Sequence, residues 1–184
     1  MSRTTRELIR DFSLAFKRPV NESYTEVTVS ERELLAKLLL EEVCEYIVKG
    51  LGCDVKVDME AGRPPNEAYC RVEHREGVPL DPVEILDGLA DVNVVIHFNA
   101  HWHGFNLDSA TQIVHESNMS KLGEDGEPII NGVTPGYEGS PDRPDLADAR
   151  FDRSKPVGKI LKGPNFYPPT NGLLGLLMME GNNK

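Results

Sequence analysis

The chain has 184 residues, 39 % of them hydrophobic and 7 % aromatic, and a formal charge of −10. That length supports one domain with its own core, and the low aromatic content suits a modest core completed by a partner subunit. The acid excess repels nucleic-acid phosphates and disfavours DNA or RNA binding, and no apolar run approaches the roughly 20 residues of a membrane span.

Residues 4–18 read as a first helix, with Thr4 or Thr5 as cap, Leu8, Phe12 and Phe16 on one face, and Pro19 as its end. A polar connector over 20–30 leads to a second helix from about 31 to 49. Ser30 and Glu33 form its expected capping box, and Gly50 and Gly52 its stop. Leu34, Leu35, Leu38, Leu39, Val43, Tyr46 and Ile47 give it a broad apolar face. Asp54–Met59 is a candidate short strand within a proline-containing surface loop over 52–80. Asp81 and Pro82 start the next helix, which runs to Gly104. Ile85, Leu86, Leu89, Val92, Val95, Ile96 and Phe98 make it apolar on two sides, as expected of a helix central in a bundle.

A shorter helix covers about 108–120, capped by Asp108. Residues 123–158 are rich in Gly, Pro and Asp and read as an extended loop or flap, not a second domain. Residues 159–170 form an irregular, basic and aromatic stretch, and Leu173–Met179 reads as a docking segment against the core or a neighbouring subunit. The expectation is an all-α bundle forming a single domain over 1–184, with a helical core about 4–122 and a loop-rich segment 123–184. Cys44, Cys53 and Cys70 fit no C-x-x-C pair and read as small semi-buried side chains. With no signal peptide visible, a reducing cytoplasm is the expected compartment.

The second helix carries Glu41-Glu42-x-x-Glu45, and no basic residue lies between Leu38 and Val48. Glu42 and Glu45 share a face, beside the apolar stripe. Glu84, Asp87 and Asp91 fall at i, i+3 and i+7 and line one stripe of the apolar third helix. Carboxylates on a buried helix are costly unless paired or metal-bound, and two helices presenting acids to each other can hold magnesium. Ordinary surface acids are the competing reading, and Glu84 also suits the helix dipole.

E-E-x-x-E on one helix, followed by acids on a second apolar helix, resembles the MazG-like all-α NTP pyrophosphohydrolase superfamily, which includes phosphoribosyl-ATP pyrophosphohydrolase and dimeric dUTPases. The usual signature is E-x-x-E followed by E-x-x-D. Glu42 and Glu45 match its first half, whereas D-G-L-A-D puts Gly88 where the glutamate would stand if Asp91 is the aspartate. Asp87 substitutes in the favoured register, and Glu84 with Asp87 is the alternative. D-G-L-x-D before an apolar run looks like a subgroup common in phages and bacteria. Ser117-Asn118-Met119-Ser120-Lys121-Leu122, then Lys159, Lys162-Gly163-Pro164 and Pro168-Pro169, resemble that subgroup's tail.

The resemblance implies a MazG-like helical bundle that cleaves (deoxy)nucleoside triphosphates to monophosphate and pyrophosphate, as a homodimer or dimer of dimers. Glu42, Glu45, Asp87 and Asp91 would hold magnesium, with manganese as an alternative ion, and Glu41 would bind a second ion or orient the attacking water. Glu41 and Glu42 are thus the expected catalytic acids. Lys121, Lys159 and Lys162 suit phosphate. Asn93 and Asn118 would contact the nucleotide or another backbone group, and Phe166 and Tyr167 either stack on a base or anchor packing. His97 and His101, at i and i+4, lack the glutamate of H-E-x-x-H and read as structural or substrate-contact residues, while His115 precedes the S-N-M-S-K run. Two other readings compete: a di-metal carboxylate helical-bundle protein, and a non-catalytic nucleotide-binding or interaction module.

Overall fold

Mostly helical, the computed structural model describes residues 3–58, 69–132 and 157–181. The chain divides into two units, Met1–Leu107 and Asp108–Lys184. The compositional change after Lys121 does not coincide with that boundary.

In the first unit Thr4 caps helix α1 (Thr5–Ala15) through a capping box with Glu7. The helix stops at Ala15, well before Pro19, because Lys17 turns into the left-handed region at φ 54°. Helix α2 spans Val29–Glu45, two residues earlier than expected. Its capping box is Thr28 with Glu31, not Ser30 with Glu33. Both pairs fit the motif, but the earlier one buries Val27 just before the cap and lets the Glu31 carboxylate accept a 3.2 Å hydrogen bond from Trp102 Nε1.

After Glu45 the helix widens into a π-turn, Tyr46–Gly50. The expected loop over 52–80 contains an antiparallel hairpin instead. Strand β1 (Cys53–Asp58) pairs with β2 (Tyr69–His74), from Cys53 opposite His74 to Asp58 opposite Tyr69. The strand expected over 54–59 is therefore present as β1, with Met59 outside the described residues; its partner β2 falls in the stretch whose prolines predict a surface loop.

Helix α3 (Pro82–His103) begins and ends as the sequence indicates. Asp81 accepts from the backbone N–H groups of Val83 and Glu84, and Gly104 at φ 75° closes the far end. A Cβ at position 104 would lie 2.0 Å from the Ser23 carbonyl oxygen, so only glycine fits there. The connector after α1 crosses this end: the backbone N–H of Asn21 donates to the His101 carbonyl and that of Thr25 to His103, satisfying carbonyls left over in the last turn.

Helices α1 and α2 and the π-turn all pack on α3. The core joins Ile9, Val27, Leu35, Phe98 and Trp102, with Leu38 and Val94 beside it. Helix α3 is central only over its C-terminal half, where His97, Phe98, Ala100, His101 and Trp102 are buried; Val83, Leu86 and Leu89 in its first turns face out.

In the second unit α4 (Leu107–Met119) carries Asp108 inside its first turn, not at its cap. Residues 129–131 lie against 158–161, with an isolated bridge between Ile130 and Ile160. The expected flap over 123–158 lies outside the described residues from 133 to 156. Leu173–Met179 belongs to helix α5 (Thr170–Gly181), where Gly172 meets Ile113 of α4. Among the described residues no helix is long and apolar enough to cross a membrane.

Candidate active site

Helices α2 and α3 run antiparallel, and each step along one is matched by a step back along the other. Glu31 meets Trp102 at one end, and Gly50 meets Ile85 at the other, where a Cβ would stand 3.0 Å from the Ile85 Cα. Between them Gly88 abuts Tyr46, with a Cβ there only 2.9 Å from the Tyr46 Cα. The two backbones thus come close at glycines, and Glu42 and Asp91 lie just beyond that contact, near enough for the Asp91 charge to act on Glu42. Both line one pocket of about 270 Å³, together with Phe12 of α1, Phe16 and Arg18 from the turn that follows it, Leu38 from α2, and Val94, Val95 and Phe98 from α3.

Glu42 is half-buried at this junction. Burial pushes its carboxyl above the ordinary value, the Asp91 charge raises it further, and Glu45 and Glu41 add to the effect against a smaller opposing pull from Lys49. A carboxylate held in this way favours any cation that can neutralise it.

Asp91 is exposed, and the other expected acids lie outside the pocket lining. Glu41 is exposed and forms an i, i+4 ion pair with Lys37 at 3.6 Å. Glu45 is exposed and bonds to Lys49 on the next turn, which raises the Lys49 amine above its usual value. The run without basic residues is therefore flanked by two lysines that reach into it. Asp87 lies exposed on α3 near the outward-facing Leu86, and Glu84 is half-buried, close enough for its charge to act on Lys49. Gly88 is buried against the π-turn and has no room for a side chain.

Among the described residues no group of three or more His, Cys, Asp or Glu side chains is arranged to hold a metal ion by itself. Glu42 and Asp91 nonetheless suit magnesium, which prefers oxygen ligands, keeps several waters, and is bound through one or two carboxylates plus substrate phosphates. Di-iron chemistry of the bundle type needs four carboxylates and two histidines converging, which the described residues do not offer.

The remaining expected contacts divide by unit. Asn93 is exposed on α3. His101 is buried, and its Nε2 lies 3.0 Å from the Arg6 carbonyl, so it ties α3 to α1 in a structural role. His97 is also buried, while His115 is exposed on α4.

In the second unit the S-N-M-S-K and K-G-P segments fold onto each other. Ser117 Oγ donates to the Tyr167 carbonyl at 2.8 Å, the Tyr167 N–H donates to Ser120 Oγ, and the Gly163 N–H donates to the Lys121 carbonyl. A Cβ at Gly163 would lie 2.0 Å from the Leu122 carbonyl oxygen. Lys121 donates to Asn118 Oδ1 at 2.6 Å, and the Lys162 amine lies 4.3 Å from the centre of the Phe166 ring. Lys159 and the Tyr167 ring are exposed. These motif residues therefore build their own turn first; Lys159, Lys162 and Tyr167 keep surface open to a ligand.

The π-turn after Glu45 and the left-handed Lys17 were missed from the sequence. A widened turn often marks a functional position, and here it follows directly on E-E-x-x-E. The two nearby glycines, Gly50 and Gly88, were the available signal, read only as a stop and as a departure from the family pattern. No protein-family model matches the chain, and no curated protein matches it at a significant level.

Proposed function

We propose that the protein is a MazG-like pyrophosphohydrolase that converts (deoxy)nucleoside triphosphates to monophosphate and pyrophosphate with magnesium, or manganese in its place. The observation that carries this reading is the opposition of Glu42 and Asp91 across the α2–α3 contact, in one pocket, with burial and the Asp91 charge both acting against the ionised form of Glu42. Such an arrangement costs stability and is explained by a ligand that neutralises it.

Glu42 and Asp91 would hold the ion, which supplies an activated water and charge neutralisation on the leaving pyrophosphate when bound. Glu45 and Asp87 would join through water from the turns beside the pocket. Glu41, one residue from Glu42, would accept the proton of the attacking water once released from Lys37. Asn93, Asn118, Lys121, Lys159, Lys162 and Tyr167 remain the proposed nucleotide contacts, and a homodimer or dimer of dimers the proposed assembly.

The test is magnesium-dependent pyrophosphate release from a panel of dNTPs. Glu42→Gln and Asp91→Asn are each expected to lower turnover by about 100-fold or more. Wild-type turnover in Asp91→Asn would remove the assignment. The ion pairs of Glu41 and Glu45 favour a second reading, a non-catalytic nucleotide-binding module whose acids serve the surface. Absence of pyrophosphate from every dNTP, with nucleotide still bound, would select it.

A further inference from the structure

The pocket beside Glu42 and Asp91 has walls of a different kind from its acids. Phe12, Phe16, Leu38, Val94, Val95 and Phe98 give it a hydrocarbon and aromatic lining. A triphosphate seeks cations and N–H donors, so these side chains do not serve it. Aromatic faces suit a flat, weakly hydrated ring.

Phe12 in the last turn of α1 and Phe16 at its C-cap have ring centroids 4.6 Å apart, and they remain 45 % and 65 % exposed. At about 270 Å³ the pocket lies just under the roughly 300–1,000 Å³ of whole-ligand sites, a size that suits one ring system of a ligand. Its rim is fixed by an uncommon backbone. Lys17 occupies the left-handed region that glycine usually fills, the Arg18 N–H donates to the Ser13 carbonyl at 2.8 Å, and the Lys17 N–H donates to Leu14 at 3.1 Å. That turn brings Arg18 back into the pocket wall.

We propose that this pocket seats the heterocyclic base of the nucleotide, with Phe12 and Phe16 as the stacking platform. Arg18 has donors only, so it selects a base edge that carries an acceptor. The nucleotide identity of the ligand rests on the hydrolase reading above; the seating of a planar ring does not require turnover.

Two measurements on the full chain separate these. In the first, the four deoxynucleosides, which lack phosphate, are titrated without magnesium while the methyl resonances of Leu38, Val94 and Val95 are followed. At least one nucleoside is expected to shift them, and Phe16→Ala to weaken that binding about tenfold. Phe16→Leu keeps apolar volume at an exposed position and is expected to lose the stacking contribution with the fold intact. In the second, the KM for pyrophosphate release in Phe16→Ala is expected to rise about tenfold. Failure of every nucleoside to shift these methyls overturns the base seat even if dNTPs are hydrolysed, as does an unchanged KM. Nucleoside binding at these methyls with no pyrophosphate released supports the ring seat and removes the hydrolase.

Discussion

Burial and the facing Asp91 carboxylate both disfavour charge on Glu42, so its folded-state pKa lies above the ordinary 4.5. Between those two values the folded chain binds more protons than the unfolded one, and stability falls as pH rises through that window. Glu42→Gln is therefore expected to melt at a higher temperature than wild type at pH 7, with the difference closing as pH drops below 4.5, measured by circular dichroism. Glu31 has the opposite sign: hydrogen bonds from the Thr28 side chain and backbone, and then from Trp102, lower its pKa, so its contribution is present above the ordinary value and lost in acid. One acid on α2 thus serves the fold, and another, eleven positions on, works against it. Lys17 is a second position of local cost. A non-glycine residue in the left-handed region costs roughly 1–2 kcal/mol, and glycine there loses part of that gain to its freer unfolded chain. Lys17→Gly is expected to add about 0.5–1 kcal/mol to stability in denaturant titration.

At the scale of elements, the antiparallel seam between α2 and α3 fixes the site. Gly88→Ala would place a methyl 2.9 Å from the Tyr46 backbone. Overpacking of about 1–3 kcal/mol outweighs or matches the ~1 kcal/mol of helix propensity gained, so a net loss of about 0–2 kcal/mol is expected on chemical unfolding. The helices that carry this seam were legible from periodicity, capping residues and the Asp81-Pro82 start, because those signals are local. The hairpin was legible only in its first strand, where Cys53–Asp58 alternates apolar and polar residues; β2 pairs with it across ten intervening residues, and its partner is not fixed by local signals. Of the site, sequence reasoning found the acids but not their partition. Spacing places Glu42 and Glu45 on one face, yet the π-turn and the lysines at either end decide which of them stays at the surface. Asp87 and Asp91, four apart on α3, share a stripe and are both exposed; only Asp91 lines the pocket beside Glu42. Tertiary geometry of this kind leaves no trace in a single chain's pattern.

The molecule as a whole exposes more large apolar side chains than a self-contained fold requires. Val83, Leu86 and Leu89 on α3 are 75 %, 71 % and 49 % exposed, and Leu174, Leu177, Met178 and Met179 on α5 are exposed as well. Large apolar side chains left exposed on a helix of each unit are a common mark of association. The chain is expected to sediment as a dimer or larger species, and Leu86→Glu to shift it toward monomer; a monomeric wild type would contradict the proposed assembly. Trp102 adds a practical consequence. It is the single tryptophan in the chain, lies in the first unit, and its indole is bonded to the carboxylate at the start of α2. Its emission is therefore an intrinsic optical gauge of that helix junction, and a fluorescence melt follows the N-terminal half of the polypeptide while remaining largely blind to the C-terminal half.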